Sequence, residues 1–194
     1  SAPRNVRLTC ISDFSVATYS GMLPGTLAGL YDREQMQIDL VRLCAAAGVR
    51  FLKADVEGLD LKRREVLLAD RAALPYDVLS IGIGSVPSGL DEVAGADDAE
   101  SGERPIPIKP MQTFLARLDQ RLRRAAEAAG DRALRIAVVG GGVAGVEITL
   151  GLTPHVKNLL GTAPELVMID RHQELARGLS DKAVGRVKQE LARR

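Results

Sequence analysis

The chain has 194 residues, 46% apolar and 26% charged, a composition ordinary for a globular protein of one large or two small domains. A net charge of +1, 3% aromatic residues and the absence of tryptophan remove the electrostatic and stacking cases for nucleic-acid binding. No apolar run approaches the ~20 residues of a membrane helix, no signal peptide is read at the N-terminus, and Cys10 and Cys44 form no C-x-x-C, so the expected setting is a reducing cytoplasm with no sequence-local redox disulfide.

Val6–Ile11 is β-rich and apolar and predicts a buried strand, either of an ordinary sheet or the second strand of a nucleotide-binding unit, since it ends in Ser12-Asp13. Tyr19–Tyr31 carries glycines and a proline that disfavour a regular helix, yet it is too apolar for a solvent loop. Asp39–Gly48 predicts a short helix with Asp39 as N-cap, Gly48 at C′ and an apolar face of Leu40, Leu43, Cys44 and Ala47, on which Cys44 reads as core. Val49–Ala54, Val56–Leu61 and Glu65–Leu68 read as short strands, with Lys62-Arg63-Arg64 a solvated hairpin tip. Tyr76–Ile83 reads as a further buried strand running into Gly84.

Leu90–Pro107, acidic and loop-like, is the strongest boundary signal. After it, Pro110 suits the first turn of a helix with an apolar stripe of Met111, Phe114, Leu115, Leu118, Leu122 and Ala125, closed by Gly130. Arg117, Arg121, Arg123 and Arg124 then form its wet face. Val143–Leu152 begins another helix that Pro154 limits or kinks. Asp181–Leu191 is the last helix, with its acid first and its bases last. His155 and His172 read as surface histidines without partners.

The stretch with the most specific chemistry is Ile136–Glu147. An apolar run, Ile136–Val139, enters Gly140, Gly142 and Gly145 in G-x-G-x-x-G spacing, and an apolar helix follows. Gly140 permits the tight turn, Gly142 lets a pyrophosphate approach bare backbone, and Gly145 lets helix pack on strand. The helix N-terminus then offers unpaired N–H groups and a positive dipole end. A second strand, Leu166–Ile169, ends in Asp170, placed to accept hydrogen bonds from a ribose. The distance from Gly145 to Asp170 exceeds the usual spacing of about 20 residues, so the helix or its loop must be extended. The competing reading is a buried strand followed by a flexible glycine turn.

The order of these segments, with Tyr76-Asp77-Val78-Leu79-Ser80-Ile81-Gly82-Ile83-Gly84-Ser85 and Val138-Val139-Gly140-Gly141-Gly142-Val143-Ala144-Gly145-Val146-Glu147, resembles the FAD-dependent pyridine nucleotide-disulfide oxidoreductases, in the branch similar to type II NADH dehydrogenases. Tyr19–Gly25, Ile38-Asp39-Leu40 and Ile106–Pro110 resemble the module associated with selenophosphate synthetase. The resemblance covers essentially the whole chain. It implies an α/β fold of two nested Rossmann-like domains, FAD- and NAD(P)-binding, both incomplete here: 1–106 and 107–194, the second including its lead-in helix. It places Gly140, Gly142, Val143, Ala144, Gly145 and Glu147 on NAD(P)H, with Glu147 near the nicotinamide. Asp170 favours NADH, because a carboxylate repels a 2′-phosphate, while Arg171 leaves NADPH open. Pro24, Val56, Gly82 and Gly84 match segments close to FAD.

Three departures stand out. The family's first strand and FAD glycine loop are absent, Ser12 replaces the acid that reads the FAD ribose, and the chain stops before the second domain closes. The chain therefore reads as an internal piece of a longer protein, expected to hold no FAD alone. The resemblance implies a hydride passed from NAD(P)H to flavin and on to a quinone or other small-molecule electron acceptor. It also implies association with selenophosphate synthetase and leaves room for a homodimer. A non-catalytic nucleotide-binding or regulatory module serving that synthetase is the alternative. No catalytic acid, base, nucleophile or metal ligand is assigned.

Overall fold

In the computed structural model, residues 5–87, 89 and 105–193 are described. They fall into two compact units that interleave along the chain, one formed by residues up to 18 together with 37–112, the other by 19–36 together with 113–194.

In the first unit, strand β1 (Thr9–Ser12) lies parallel to β4 (Arg50–Lys53), with Cys10 opposite Phe51. Strands β2 (Val16–Thr18) and β3 (Gln37–Asp39) pair antiparallel. Helix α2 (Leu40–Ala47) follows β3 directly; the short helix α1 (Leu23–Leu27) belongs to the other unit. The expected caps of α2 are present. The Asp39 carboxylate accepts the Arg42 N–H at 2.9 Å, and Gly48 closes the helix at φ 67°, a left-handed conformation that costs glycine little. Its expected apolar face is not a buried stripe: Leu43 is 54% exposed, and Cys44 is the helix's single buried residue. The helix is too short and too peripheral to cover more than one anchor point.

Strands β5 (Val56–Asp60), β6 (Glu65–Leu68) and β7 (Arg71–Pro75) form an antiparallel meander. Asp60 accepts the Lys62 and Arg63 N–H groups, both at 2.9 Å, so the basic triplet is a side-chain-capped turn. Leu52, Val66 and Leu68 make the core of this unit, with Ile11, Ala54, Leu74, Tyr76 and Leu79 packed against it. The strand expected at Tyr76–Ile83 does not form. Tyr76 and Leu79 anchor the segment on the core, no described strand pairs with it, and Val78 and Ile83 stand almost fully in solvent. An apolar, β-branched run is a strand only where a ladder partner satisfies its backbone. Of the acidic boundary at Leu90–Pro107, residues 90–104 lie outside the described residues.

In the second unit, Ser20–Met22 form one 3-10 turn that continues into α1 (Leu23–Leu27), and Arg33–Met36 form another. Helix α3 (Met111–Ala129) buries Phe114, Leu115, Leu118 and Leu122 as the periodicity predicts, while Arg117 and Arg121 are half-buried rather than fully wet. Strands β8 (Arg135–Val139) and β9 (Glu165–Ile169) run parallel, joined by α4 (Val143–Leu160). Helix α5 (Asp181–Arg193) has no buried residue. Pro154 does not end α4. Buried Thr149, Gly151, Leu152 and Val156 flank it on both sides, and their packing holds the helix through the one hydrogen bond a proline forfeits. The long reach from Gly145 to Asp170 is taken up by this uninterrupted helix.

Candidate functional site

The site grows from the end of β8. The Gly140 N–H donates to the Ile169 carbonyl at 2.7 Å, which continues the β8–β9 pairing one step beyond the strands. Gly140 then turns at φ 113°, open to glycine and rarely to other residues. Gly142 is the N-cap of α4, extended and without a side chain to occupy the helix's free N–H groups. Val146 N–H makes the first helical bond, to the Gly142 carbonyl at 3.0 Å. A Cβ at Gly145 would stand 1.8 Å from the Gly140 carbonyl oxygen, so this helix–loop approach admits hydrogen and nothing larger. A Cβ at Gly142 meets no atom within 4 Å.

Asp170 closes the arrangement. One carboxylate oxygen accepts the Gly141 N–H; the other accepts the His172 N–H at 2.7 Å and lies 3.1 Å from His172 Nδ1. The backbone bond from His172, then that from Gly141, hold its carboxyl below the usual carboxylate value. The Ala176 N–H donates to the Gly141 carbonyl at 2.7 Å, so the loop after β9 is stitched to the glycine loop on both of its peptide faces. Together they shape a cleft of about 850 Å³, lined by Gly140–Gly142, Asp170–His172, Glu174, Arg177 and Gly178. Bare backbone, a helix N-terminus and two arginines give it the chemistry of an anion site, with the carboxylates of Asp170 and Glu174 in the same lining.

Among the residues singled out from sequence, Gly140, Gly142 and Asp170 line this cleft. Val143 and Ala144 are exposed on the first turn of α4, Gly145 sits behind the loop, and Glu147 is exposed one turn along. Pro24 lies in the first turn of α1, and its carbonyl is 3.0 Å from where a Cβ at Gly151 would be. Val56 opens β5, half-exposed, and Gly82 and Gly84 lie in the irregular segment after β7, with Gly84 at φ 70°. These last three belong to the first unit and line none of its described clefts. Ser12 caps a turn by accepting the Phe14 N–H at 3.2 Å.

Both histidines have carboxylate partners, contrary to the sequence expectation. His172 pairs with Asp170, and His155 Nε2 lies 2.7 Å from Asp119, which also binds Arg33. His172, Ala176 and Arg177 were missed as site residues. The signal was topological: the loop after β9 leaves from the carboxyl end of the strands, the edge where the glycine loop also lies.

No family model matches the chain. Demethylphylloquinone reductase NdbB of Synechocystis is 31% identical over 139 residues, 70% of this chain and 31% of that protein. NDH2 from Plasmodium falciparum, solved in complex with NADH, superposes with a TM-score of 0.76 at 16% identity, over 98% of this chain and 42% of its own. A NAD-dependent persulfide reductase from A. fulgidus gives 0.70 at 17% identity, over 97% and 34%. The chain thus spans about a third of the curated relative it matches and less than half of these solved structures. The shared architecture is the α/β, Rossmann-like fold expected from the sequence.

Proposed function

The chain belongs to the FAD-dependent pyridine nucleotide-disulfide oxidoreductases, and from that premise we propose that it forms part of an NAD(P)H-dependent flavoprotein oxidoreductase, contributing the NAD(P)H-binding cleft and part of the FAD-binding framework. The observation that carries the reading is the Gly145–Gly140 approach, with the bare Gly142 N-cap beside Asp170. These are the features that let a pyrophosphate reach backbone N–H groups while a carboxylate reads an adenosine ribose.

On this reading residues 1–106 supply the FAD-side framework and 107–194 the NAD(P)H side. The cradle at Gly140–Gly142 and the N-terminus of α4 neutralise the pyrophosphate, Asp170 orients the ribose and favours NADH, and Glu147 lies toward the nicotinamide. In the first unit Gly82, open at its Cα, and Gly84, in a left-handed conformation, leave backbone bare and with Val56 would contribute to holding FAD; Pro24, in the second unit, is assigned to FAD by the family resemblance alone. Bound FAD would supply the two-electron acceptor for the hydride. The protein's part is to hold the two nucleotides in register and keep water from between them. The onward acceptor of the whole protein is a quinone or another small molecule, a reading that the likeness to demethylphylloquinone reductase NdbB supports. The Tyr19–Gly25 segment points to selenophosphate synthetase as a partner, which co-purification of the two proteins tests.

Titration of the chain with NADH and NADPH, followed by nucleotide fluorescence, tests the cleft. Saturable binding that is tighter for NADH and lost on Gly142→Val supports the reading. Absence of binding, or binding indifferent to that substitution, overturns it. Purified with its flavin, the whole protein should bleach when NADH is added and recover colour with a quinone.

A further inference from the structure

The glycine motif leaves its second position open, and Gly141 fills it. Gly141 does not share the positive φ of Gly140, so its backbone alone would admit a side chain. Its surroundings do not. A Cβ there would stand 2.8 Å from Asp170 Oδ2, 3.0 Å from Asp170 Cβ and 3.1 Å from Asp170 Cγ, all atoms of one side chain. The same oxygen accepts the Gly141 N–H, so the close approach and the hydrogen bond are one contact. Asp170 has little room to retreat: its other oxygen accepts the His172 N–H at 2.7 Å, and its side chain is 16% exposed. The peptides on both sides of Gly141 are fixed as well. A trans peptide points its N–H and C=O in opposite directions. With the Gly141 N–H on Asp170, the Gly140 carbonyl turns toward Gly145. With the Gly141 carbonyl taken by the Ala176 N–H at 2.7 Å, the Gly142 N–H is directed away from Ala176. Ala176 makes that bond fully buried and at φ 51°, a conformation that alanine keeps only where its surroundings over-determine it.

We propose that Gly141 is a positioning residue for nucleotide choice: by carrying no Cβ it lets the Asp170 carboxylate sit against the glycine loop, where that carboxylate favours NADH over NADPH. The inference rests on the reading of the cleft as an NAD(P)H site. The carboxylate and the peptide that carries the Gly142 N–H are then held as one piece, with Gly141 as the joint. A methyl group at this position displaces the carboxylate and breaks its bond to the Gly141 N–H. The acid then neither meets the ribose hydroxyls nor bars a 2′-phosphate, and Arg171 and Arg177 in the same lining are left to attract that phosphate. Discrimination is lost although Asp170 is still in the chain.

The test titrates the wild type, Gly141→Ala, Asp170→Gly and the double variant with NADH and with NADPH by nucleotide fluorescence, and melts all four. The wild type should prefer NADH. In Gly141→Ala that preference should shrink about tenfold, toward that of Asp170→Gly, through weaker NADH binding rather than an equal loss of both nucleotides. Asp170→Gly removes every atom the methyl would meet, so Gly141→Ala added to it should lower neither the melting temperature nor the preference further. Gly141→Ala that keeps the wild-type preference overturns the proposal, and so does an equal loss of both nucleotides, which mere loosening of the loop would give. If Gly141→Ala does not fold, the double variant decides: folding as Asp170→Gly does supports the proposal, and failing to fold overturns it. A wild type that binds neither nucleotide overturns the reading of the cleft and this inference with it; one that binds both equally overturns this inference alone.

Discussion

The Asp170 carboxylate accepts the backbone N–H of Gly141, a bond that spans the loop after β8 and the loop after β9. Its other oxygen is engaged by His172, so this carboxylate ties the two loops together and lines the cleft. Its folded pKa lies below the usual 3.8. A lowered carboxylate stabilises the fold above the unfolded value, and that contribution is lost as pH falls through the folded value. Asp170→Asn keeps the shape but has one acceptor oxygen where two are used. The variant should therefore melt earlier than the wild type at neutral pH, and the two curves should converge on acidification below about pH 4. Thermal melts from pH 7 to pH 2 check this; a difference that grows on acidification contradicts it.

Gly145 and Gly142 separate fold from binding. At Gly145 an added methyl would collide with the Gly140 carbonyl at 1.8 Å, and backbone cannot step aside cheaply. Gly145→Ala should lower stability by about 1–3 kcal/mol, as overpacked sites do, and weaken nucleotide binding with it. At Gly142 nothing lies within 4 Å and the backbone is extended, so Gly142→Ala should melt with the wild type. It should nonetheless lose about tenfold or more in NADH affinity, some 1.4 kcal/mol, by standing where the pyrophosphate must approach. Paired melting and titration curves for the two variants decide it.

What the sequence reveals follows the range of the forces involved. The stripe of α3, the caps of α2 at Asp39 and Gly48, and the strand–turn–helix–strand order around Gly140 are local patterns, and each is found where the spacing put it. Contacts set by tertiary placement were hidden. His155 meets Asp119 from 36 positions away. Strands β2 and β3 are three residues each, too short for alternation to show. Conversely, the composition of Tyr76–Ile83 predicted a strand, but a strand needs a neighbour that composition does not specify.

Gly151 marks the close approach of α1 and α4. A Cβ there would stand 2.9 Å from the Leu27 side chain and 3.0 Å from the Pro24 carbonyl, and Leu27 is 1% exposed. The leucine cannot swing into solvent, and the carbonyl belongs to the Ala28 N–H, 2.9 Å away. Gly151→Ala gains helix propensity worth about 1 kcal/mol, yet should destabilise overall, because overpacking costs about 1–3 kcal/mol. Nucleotide affinity should be unchanged, since Gly151 lies outside the cleft. A rise in melting temperature would show that α1 yields.

Asp119 is the hub of a second polar cluster in the same unit. One oxygen binds Arg33, from the turn after α1, and the other lies 2.7 Å from His155 Nε2 on α4. Two helices and a loop thus share one carboxylate, whose side chain is 19% exposed against 14% for His155. Removing a shared acceptor strands its donors. Asp119→Ala should cost about 1–3 kcal/mol, the penalty of leaving a largely buried polar group unsatisfied. Asp119→Asn, which retains one acceptor, should cost less than Asp119→Ala. In a double-mutant cycle, Asp119→Ala combined with His155→Phe should lose less than the sum of the two single changes, because the stranded imidazole is gone. Denaturant melts of the four proteins measure this; strict additivity would show that Asp119 and His155 do not act together.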